Sequence, residues 1–297
     1  SGWSTHYAEW KPVLRPETTS FWRGRARAGD GPASDFTTAR SFTTEAPSTW
    51  FVRPKAAPGT YGAEDGSSHA DAWNGLEYAR FGPEGVEAGD TLYVCGGHVY
   101  TTSESADFAA QALLTIKETG HSEDHPITIR MDYASDPGVV WGAFLDQRWG
   151  GDVWNGPDAN DVYWSDDIDY YSAGLFQDID GFDGVLLDKE TAATWTGHYG
   201  ACYREGGRTF VKTTDGDDPT DRIYESFGYR IDLGRARYVE FLNCDFRASK
   251  QGTENGTASD VPLTHHVVWD GCDMKYASHS LLSFYDGQEH FTVRNCD

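Results

Sequence analysis

The sequence predicts an all-β protein whose main body, from about Thr49 onward, is a parallel β-helix, a solenoid of short strands. Three observations predict it. One strand pattern recurs toward the end of the chain. Short alternating runs, set off by glycine turns, precede it. The composition, with 38% hydrophobic and 14% aromatic residues and 33 Gly among 297, is too aromatic for disorder and too rich in glycine for a helical bundle.

The repeat is the strongest of the three. Val239-Glu240-Phe241-Leu242-Asn243-Cys244-Asp245, Val267-Val268-Trp269-Asp270-Gly271-Cys272-Asp273 and Phe291-Thr292-Val293-Arg294-Asn295-Cys296-Asp297 share one pattern. Their spacing falls in the ~20–50-residue range of solenoid repeats. Alternation gives each strand one buried and one exposed row. Parallel stacking sets equivalent residues ~4.8 Å apart. Cys244, Cys272 and Cys296 then form a row of buried free thiols, and Asp245, Asp273 and Asp297 a row of carboxylates. Carboxylates so close repel each other, and two readings are open. They cap turn amides at the surface, or Asp245 and Asp273 bind Ca²⁺, which takes oxygen ligands in flexible geometry. The loop Asp215-Gly216-Asp217-Asp218-Pro219 is a second calcium candidate through Asp215 and Asp217, although it lacks the full EF-hand pattern.

Upstream, Ser68 with Asp71 suggests a helix N-cap, and Ala72, Leu76 and Ala79 suggest one face of a short amphipathic helix. Gly89-Asp90 turns into the strand Thr91-Leu92-Tyr93-Val94, and Ile127-Thr128-Ile129 and Val139-Val140-Trp141 follow. Residues 1–46 read as a separate unit. Ser20 to Arg27 is a strand, Gly29-Asp30-Gly31-Pro32 a hairpin turn, and Ala39 to Thr44 the returning strand. Within 47–297, an opening region with the capping helix covers 49–142, an insertion 143–208, and regular coils 209–297.

A formal net charge of −23 repels nucleic acid and acidic membranes, and reads first as solubility in salty water. No apolar run is long enough to span a bilayer, and the opening residues, with Trp3, Trp10 and Trp22, show no signal-peptide pattern. The five cysteines, an odd number without CxxC spacing, argue against a complete disulfide framework and a structural zinc site.

Two family resemblances follow from these strings. Leu14-Arg15-Pro16-Glu17-Thr18-Thr19, the run Ser20 to Arg27, and Ser41-Phe42-Thr43-Thr44 resemble the C-terminal half of a fibronectin type III module, with Ser20 where tyrosine and Gly24 where valine is usual. Tyr61-Gly62, Asp65-Gly66-Ser67-Ser68, Gly75-Leu76, Gly89 to Val94, Pro126 to Arg130 and Asp136 to Gly142 resemble, in order, the opening of secreted proteins of the pectate-lyase-like superfamily. Thr209 to Pro219 resembles a further segment of that family. The resemblance implies a right-handed parallel β-helix and an extracellular or cell-surface location. The half module and the uncapped last strand lead us to expect a chain that extends upstream of Ser1, and an end at Asp297 that either continues or is covered by another chain. It is specific for fold and leaves function open.

Relatives of that fold include polysaccharide lyases, hydrolases, epimerases, adhesins and phage tailspikes. Lyases of the group use Lys or Arg to take a proton beside a uronate carboxylate, often with Ca²⁺. Carried onto this chain, the resemblance points to Lys275, Arg247, Lys250 and His279. Arg247 and Lys275 both stand three residues after a repeat cysteine and are expected to stack on one face, as a cationic island or as solvated partners of the aspartate row. Asp270, Asp273 and Asp286 are the hydrolase alternative. The pairs His265-His266 and His121…His125 read first as incidental. Trp154, Tyr163, Trp164 and Tyr170, in the aromatic insertion, are candidates for sugar stacking or for packing the loop. The expected role is extracellular carbohydrate recognition or cleavage, with a polysaccharide or glycan as partner. The alternative is a non-catalytic structural or adhesive protein, self-assembling or capped by another chain.

Overall fold

The computed structural model describes residues 16–25, 27, 31–102, 114–116, 119–146, 154–166, 175–180, 183–191, 194, 195, 197–220, 222–226, 229–233, 236–247, 249–252, 264–276, 282, 283 and 289–297. Among these the chain is predominantly β, with two sheets wholly parallel and a third half parallel and half antiparallel. The longest sheet runs, edge to edge, Glu289–Arg294, His265–Asp270, Arg237–Leu242, Ile127–Arg130, Thr91–Val94, Thr49–Arg53 and Trp73–Asn74. All of its neighbours are parallel. A second sheet carries Asp273–Lys275, Asp245–Arg247 and Gly138–Asp146 in parallel, and a third carries Leu282–Ser283, Ser249–Gly252, Tyr229–Asp232 and Leu114–Thr115. No sheet closes on itself among the described residues.

The repeat sets this arrangement. From Arg237 the chain passes through the first, second and third sheets in turn, and from His265 it does so again one level further along. Alternation places Val239, Phe241, Val267 and Trp269 inward, where Phe241 stacks on Trp269 at 5.5 Å between ring centroids. Burying each such side chain stabilises the fold by roughly 1.5–3 kcal/mol. The corners between first and second sheets are held by inter-level bonds, Asn243 N–H to Asp270 O at 2.9 Å and Asp273 N–H to Cys244 O at 2.7 Å. The thiol row forms as the offsets require. All five cysteines are free, and Cys244 and Cys272 are fully buried. Their Sγ atoms donate to the carbonyls of Ile129 (3.5 Å) and Phe241 (3.4 Å), which are themselves register partners.

The capping helix is a correction. Residues 71–79 form the two-residue strand Trp73–Asn74 and a single 3₁₀ turn, Leu76–Tyr78. Gly75 sits at φ 110°, ψ 148°, which breaks any helix at its centre. Ser68 and Asp71 do bond each other, Ser68 Oγ to Asp71 Oδ2 at 2.8 Å and Asp71 N–H to Ser68 Oγ at 3.1 Å, but they close a turn. Leu76 keeps its predicted burial.

One further boundary moves. The expected onset of regular coils at 209 falls inside an antiparallel hairpin, Ala201–Glu205 with Arg208–Lys212. This hairpin belongs to a separate four-stranded sheet ordered Tyr163–Ser165, Arg208–Lys212, Ala201–Glu205, Asp188–Lys189. In the opening unit, Thr19–Trp22 pairs antiparallel with Arg40–Thr43, with Phe21 74% and Trp22 52% exposed. Tyr170, His279, Asp286 and part of the Gly29–Pro32 turn lie outside the described residues.

Candidate functional site

Four groups of side chains are candidates, and the first is the cationic island. Arg247 and Lys275 are register partners on the second sheet, as the repeat offsets imply. Both are tied to the aspartate row. The Arg247 guanidinium grips Asp245 with Nε–Oδ1 at 2.9 Å and Nη2–Oδ2 at 2.7 Å, and Lys275 Nζ bonds Asp273 Oδ2. Each pair is spaced i, i+2 along one strand, so both members share a face. The bond to Asp273 pushes the Lys275 pKa up, and the bond to Asp245 pushes that of Arg247 up. A base needs the opposite shift. Arg247 also lies over Trp141, 5.2 Å from the ring centroid, and Tyr276 stacks beyond it at 6.5 Å. Lys250 lies on the third sheet, in register with Arg230, away from this pair.

The same contacts decide the calcium candidates. Asp245 and Asp273 are charge-balanced by their own strand neighbours. Both oxygens of Asp215 accept from Arg222, at 3.1 and 2.8 Å, and the same guanidinium binds Asp178 at 2.8 and 2.6 Å. Arg222 holds the Asp215 carboxyl well below the usual range. The Asp217 amide donates to Asp215 Oδ1. Among the described residues, Asp245, Asp273 and Asp215 are therefore each already paired with a protein cation.

The third group is aromatic. In the four-stranded sheet, Trp164 pairs with Phe210 and Phe210 with Tyr203, so the three rings share one face. Tyr203 stacks on Phe210 at 4.4 Å, and Trp195 lies 4.6 Å from Tyr203. Tyr199, 51% exposed, covers the Lys212 ammonium at 4.2 Å and donates its hydroxyl to Asp161 at 3.0 Å. Arg208 lies over the Trp164 ring at 4.1 Å and bonds Asp166 at 2.7 Å. The opposite face is dry. Tyr163, Val211 and Cys202 point into a second core with Leu175, Leu187 and Ile223. Trp154 packs against that core, and burial raises the Tyr163 pKa. Of the four aromatic residues singled out from sequence, Trp164 therefore faces outward, while Tyr163 and Trp154 are packing residues. Trp195, Tyr199, Tyr203 and Phe210 were missed. Their signal was Glu205-Gly206-Gly207-Arg208, a two-residue hairpin turn with Gly206 at φ 59° and Gly207 at φ 88°.

The fourth group joins three distant segments. His69 Nε2 lies 2.9 Å from Asp136 Oδ2, and the Cys95 thiol lies within 4.8 Å of both donor atoms. Arg53 Nε approaches Asp136 Oδ2 at 3.3 Å. Tyr133 stacks on the imidazole at 5.1 Å and Phe51 meets it at a near-right angle, while Tyr93 packs against both of those rings. Cys95 is fully buried, and desolvation pushes its thiol up to about 12.

Fold and sites define an all-β protein of largely parallel sheets that also carries a mixed four-stranded sheet with one aromatic face. No protein-family model matches the chain, and neither does any curated protein or solved structure.

Proposed function

We propose that this is an extracellular glycan-binding protein that works without catalysis, built on a right-handed parallel β-helix. The β-helix reading is supported by the chain passing twice through the same three sheets in the same order, one level apart. The observation that carries the functional reading is the outer face of the four-stranded sheet. Trp164, Phe210, Tyr203 and Trp195 form a row on a rigid support, with Tyr199, Asp161, Arg208 and Asp166 beside it. Sugar rings present C–H groups that pack on aromatic surface, and hydroxyls that pair with carboxylates and guanidinium groups. Tyr203 and Phe210 cover each other, so contact falls to the outer rings, Tyr199 and Trp195. The net charge of −23 favours neutral over anionic polysaccharides.

Lyase chemistry is less well supported. Two of its base candidates, Lys275 and Arg247, are bound to aspartates and are held more firmly protonated than in water. The test is a panel of neutral and uronate polysaccharides, assayed with the full chain both for binding and for unsaturated or reducing products. Binding to a neutral glycan without product is the expected result. Product formed from a uronate polymer would contradict the non-catalytic reading. Binding to none would contradict the glycan reading and favour a purely structural role.

A further inference from the structure

We infer that His69, Cys95 and Asp136 form a binding site for one divalent transition-metal ion of the zinc class. The inference stands independently of glycan binding. The three residues supply one imidazole nitrogen, one sulfur and one carboxylate oxygen, all within 4.8 Å of one another. An ion bonded at ~2.0–2.3 Å to such donors requires them to be separated by about 3–4 Å. The His69–Asp136 contact, at 2.9 Å, needs to open by only a few tenths of an ångström. The donor set selects the ion. Sulfur and imidazole favour zinc, cobalt or nickel, while calcium and magnesium require oxygen ligands. Three protein ligands leave the fourth position of a tetrahedral ion to water.

Each ligand is held by the fold. Cys95 follows the strand Thr91–Val94, and its amide donates to Val52 O at 2.9 Å. Asp136 closes a turn through its own amide to Tyr133 O at 3.0 Å. His69 is clamped by Tyr133 and the edge of Phe51. The approach is from the His69 and Asp136 side, whose side chains are 27% and 23% exposed, since Cys95 lies at the bottom. Arg53, beside Asp136, balances the carboxylate when no ion is bound and can donate to the carboxylate or thiolate when one is. Binding exchanges the thiol proton for the metal–sulfur bond and releases that proton to solvent.

A Cys–His–Asp nucleophile is the competing use of these residues. A reactive thiol needs a partly exposed, electropositive setting that stabilises its thiolate. Cys95 is instead fully buried beside a carboxylate.

The test is titration of the full chain with cobalt(II) under reducing, anaerobic conditions, followed by displacement with zinc(II). The expected result is one equivalent of tightly bound cobalt, with a sulfur-to-cobalt charge-transfer band that zinc abolishes. That band should vanish in Cys95→Ser. His69→Gln and Asp136→Asn should weaken binding at least tenfold. His69 is partly exposed, so its variant keeps the test decisive if Cys95→Ser does not fold. Several weak equivalents without the band would mean that the acidic surface alone collects the ion, and would overturn the inference. A band unchanged in Cys95→Ser or in His69→Gln would place the metal on other residues and overturn it as well.

Discussion

Gly271 and Asn243 stand at the same corner of successive levels, one step past the paired residues Leu242 and Asp270, and a Cβ on Gly271 would lie 2.5 Å from Asn243 Oδ1. All three repeats turn this corner with positive φ: Asn243 at 50°, Gly271 at 65° and Asn295 at 53°. Asparagine and glycine are the residues that tolerate this region best. Gly271→Ala should therefore cost about 1–2 kcal/mol from the backbone alone, and more if the displaced Asn243 amide gives up its bond to Asp132 at 2.7 Å. Gly271→Asn should cost less. Urea denaturation of both variants checks this, and equal costs would contradict the backbone explanation.

Stability should fall as the solution is acidified from neutral. His98 is inward-facing, paired with Val140, and its Nε2 lies 3.1 Å from Cys95 O. Burial lowers its pKa from an ordinary 6.5 to about 4. The folded value is the lower one, so the unfolded chain takes up the proton first. The stabilisation is complete above pH ~6.5 and is lost as pH falls toward 4, by up to about 3 kcal/mol. His265, also lowered by burial, acts in the same direction. Asp132 and Asp178, lowered by Arg130 and Arg222, lose their contribution only in more acid solution. Urea midpoints between pH 7 and 4.5 should drop in the wild type and drop less in His98→Gln. An equal slope in both would contradict this.

Calcium should not raise the melting temperature of the wild-type chain through the Asp215 loop. The Arg222 guanidinium already joins Asp178 and Asp215. Arg222→Gln should destabilise by about 1 kcal/mol, since the aspartates are half-exposed and solvent screens the pair. It should also leave two facing carboxylates that millimolar calcium then stabilises. Thermal melts of both proteins with and without calcium test this. A calcium-dependent rise in the wild type that Asp215→Asn abolishes would contradict the account.

The thiols should differ in reactivity. Cys95, Cys202, Cys244 and Cys272 are buried, and desolvation raises the first two to about 12, whereas Cys296 is partly exposed. One equivalent of thiol should react rapidly with a disulfide reagent in the folded protein, and five after denaturation. Rapid reaction of several thiols would contradict the buried row.

Sequence periodicity was enough to identify the parallel strands and the cysteine row, because each repeat carries its own corner and its own inward residues. It was also enough to stack Arg247 on Lys275. It left two readings of those cations open, a free island or partners of the aspartate row, and only the side-chain contacts show that each is bonded to the aspartate two residues before it. The helix expected over Ala72 to Ala79 failed at one residue, Gly75, whose backbone lies outside the helical region. The aromatic face was half legible. Alternation separates Tyr163 from Trp164, but only the pairing of Trp164 with Phe210 shows which of the two faces outward. The His69–Cys95–Asp136 cluster had no sequence signal, because its members come from three loops that only strand stacking brings together.

Glycan affinity of the double variant Trp195→Ala/Tyr199→Ala, measured by calorimetry beside the wild type and Lys275→Ala, tests the central claim most directly. The account predicts that the double variant, with an unchanged circular dichroism spectrum, binds neutral polysaccharide at least tenfold more weakly, while Lys275→Ala binds as the wild type does. Unchanged affinity in the double variant, or loss confined to Lys275→Ala, would contradict it.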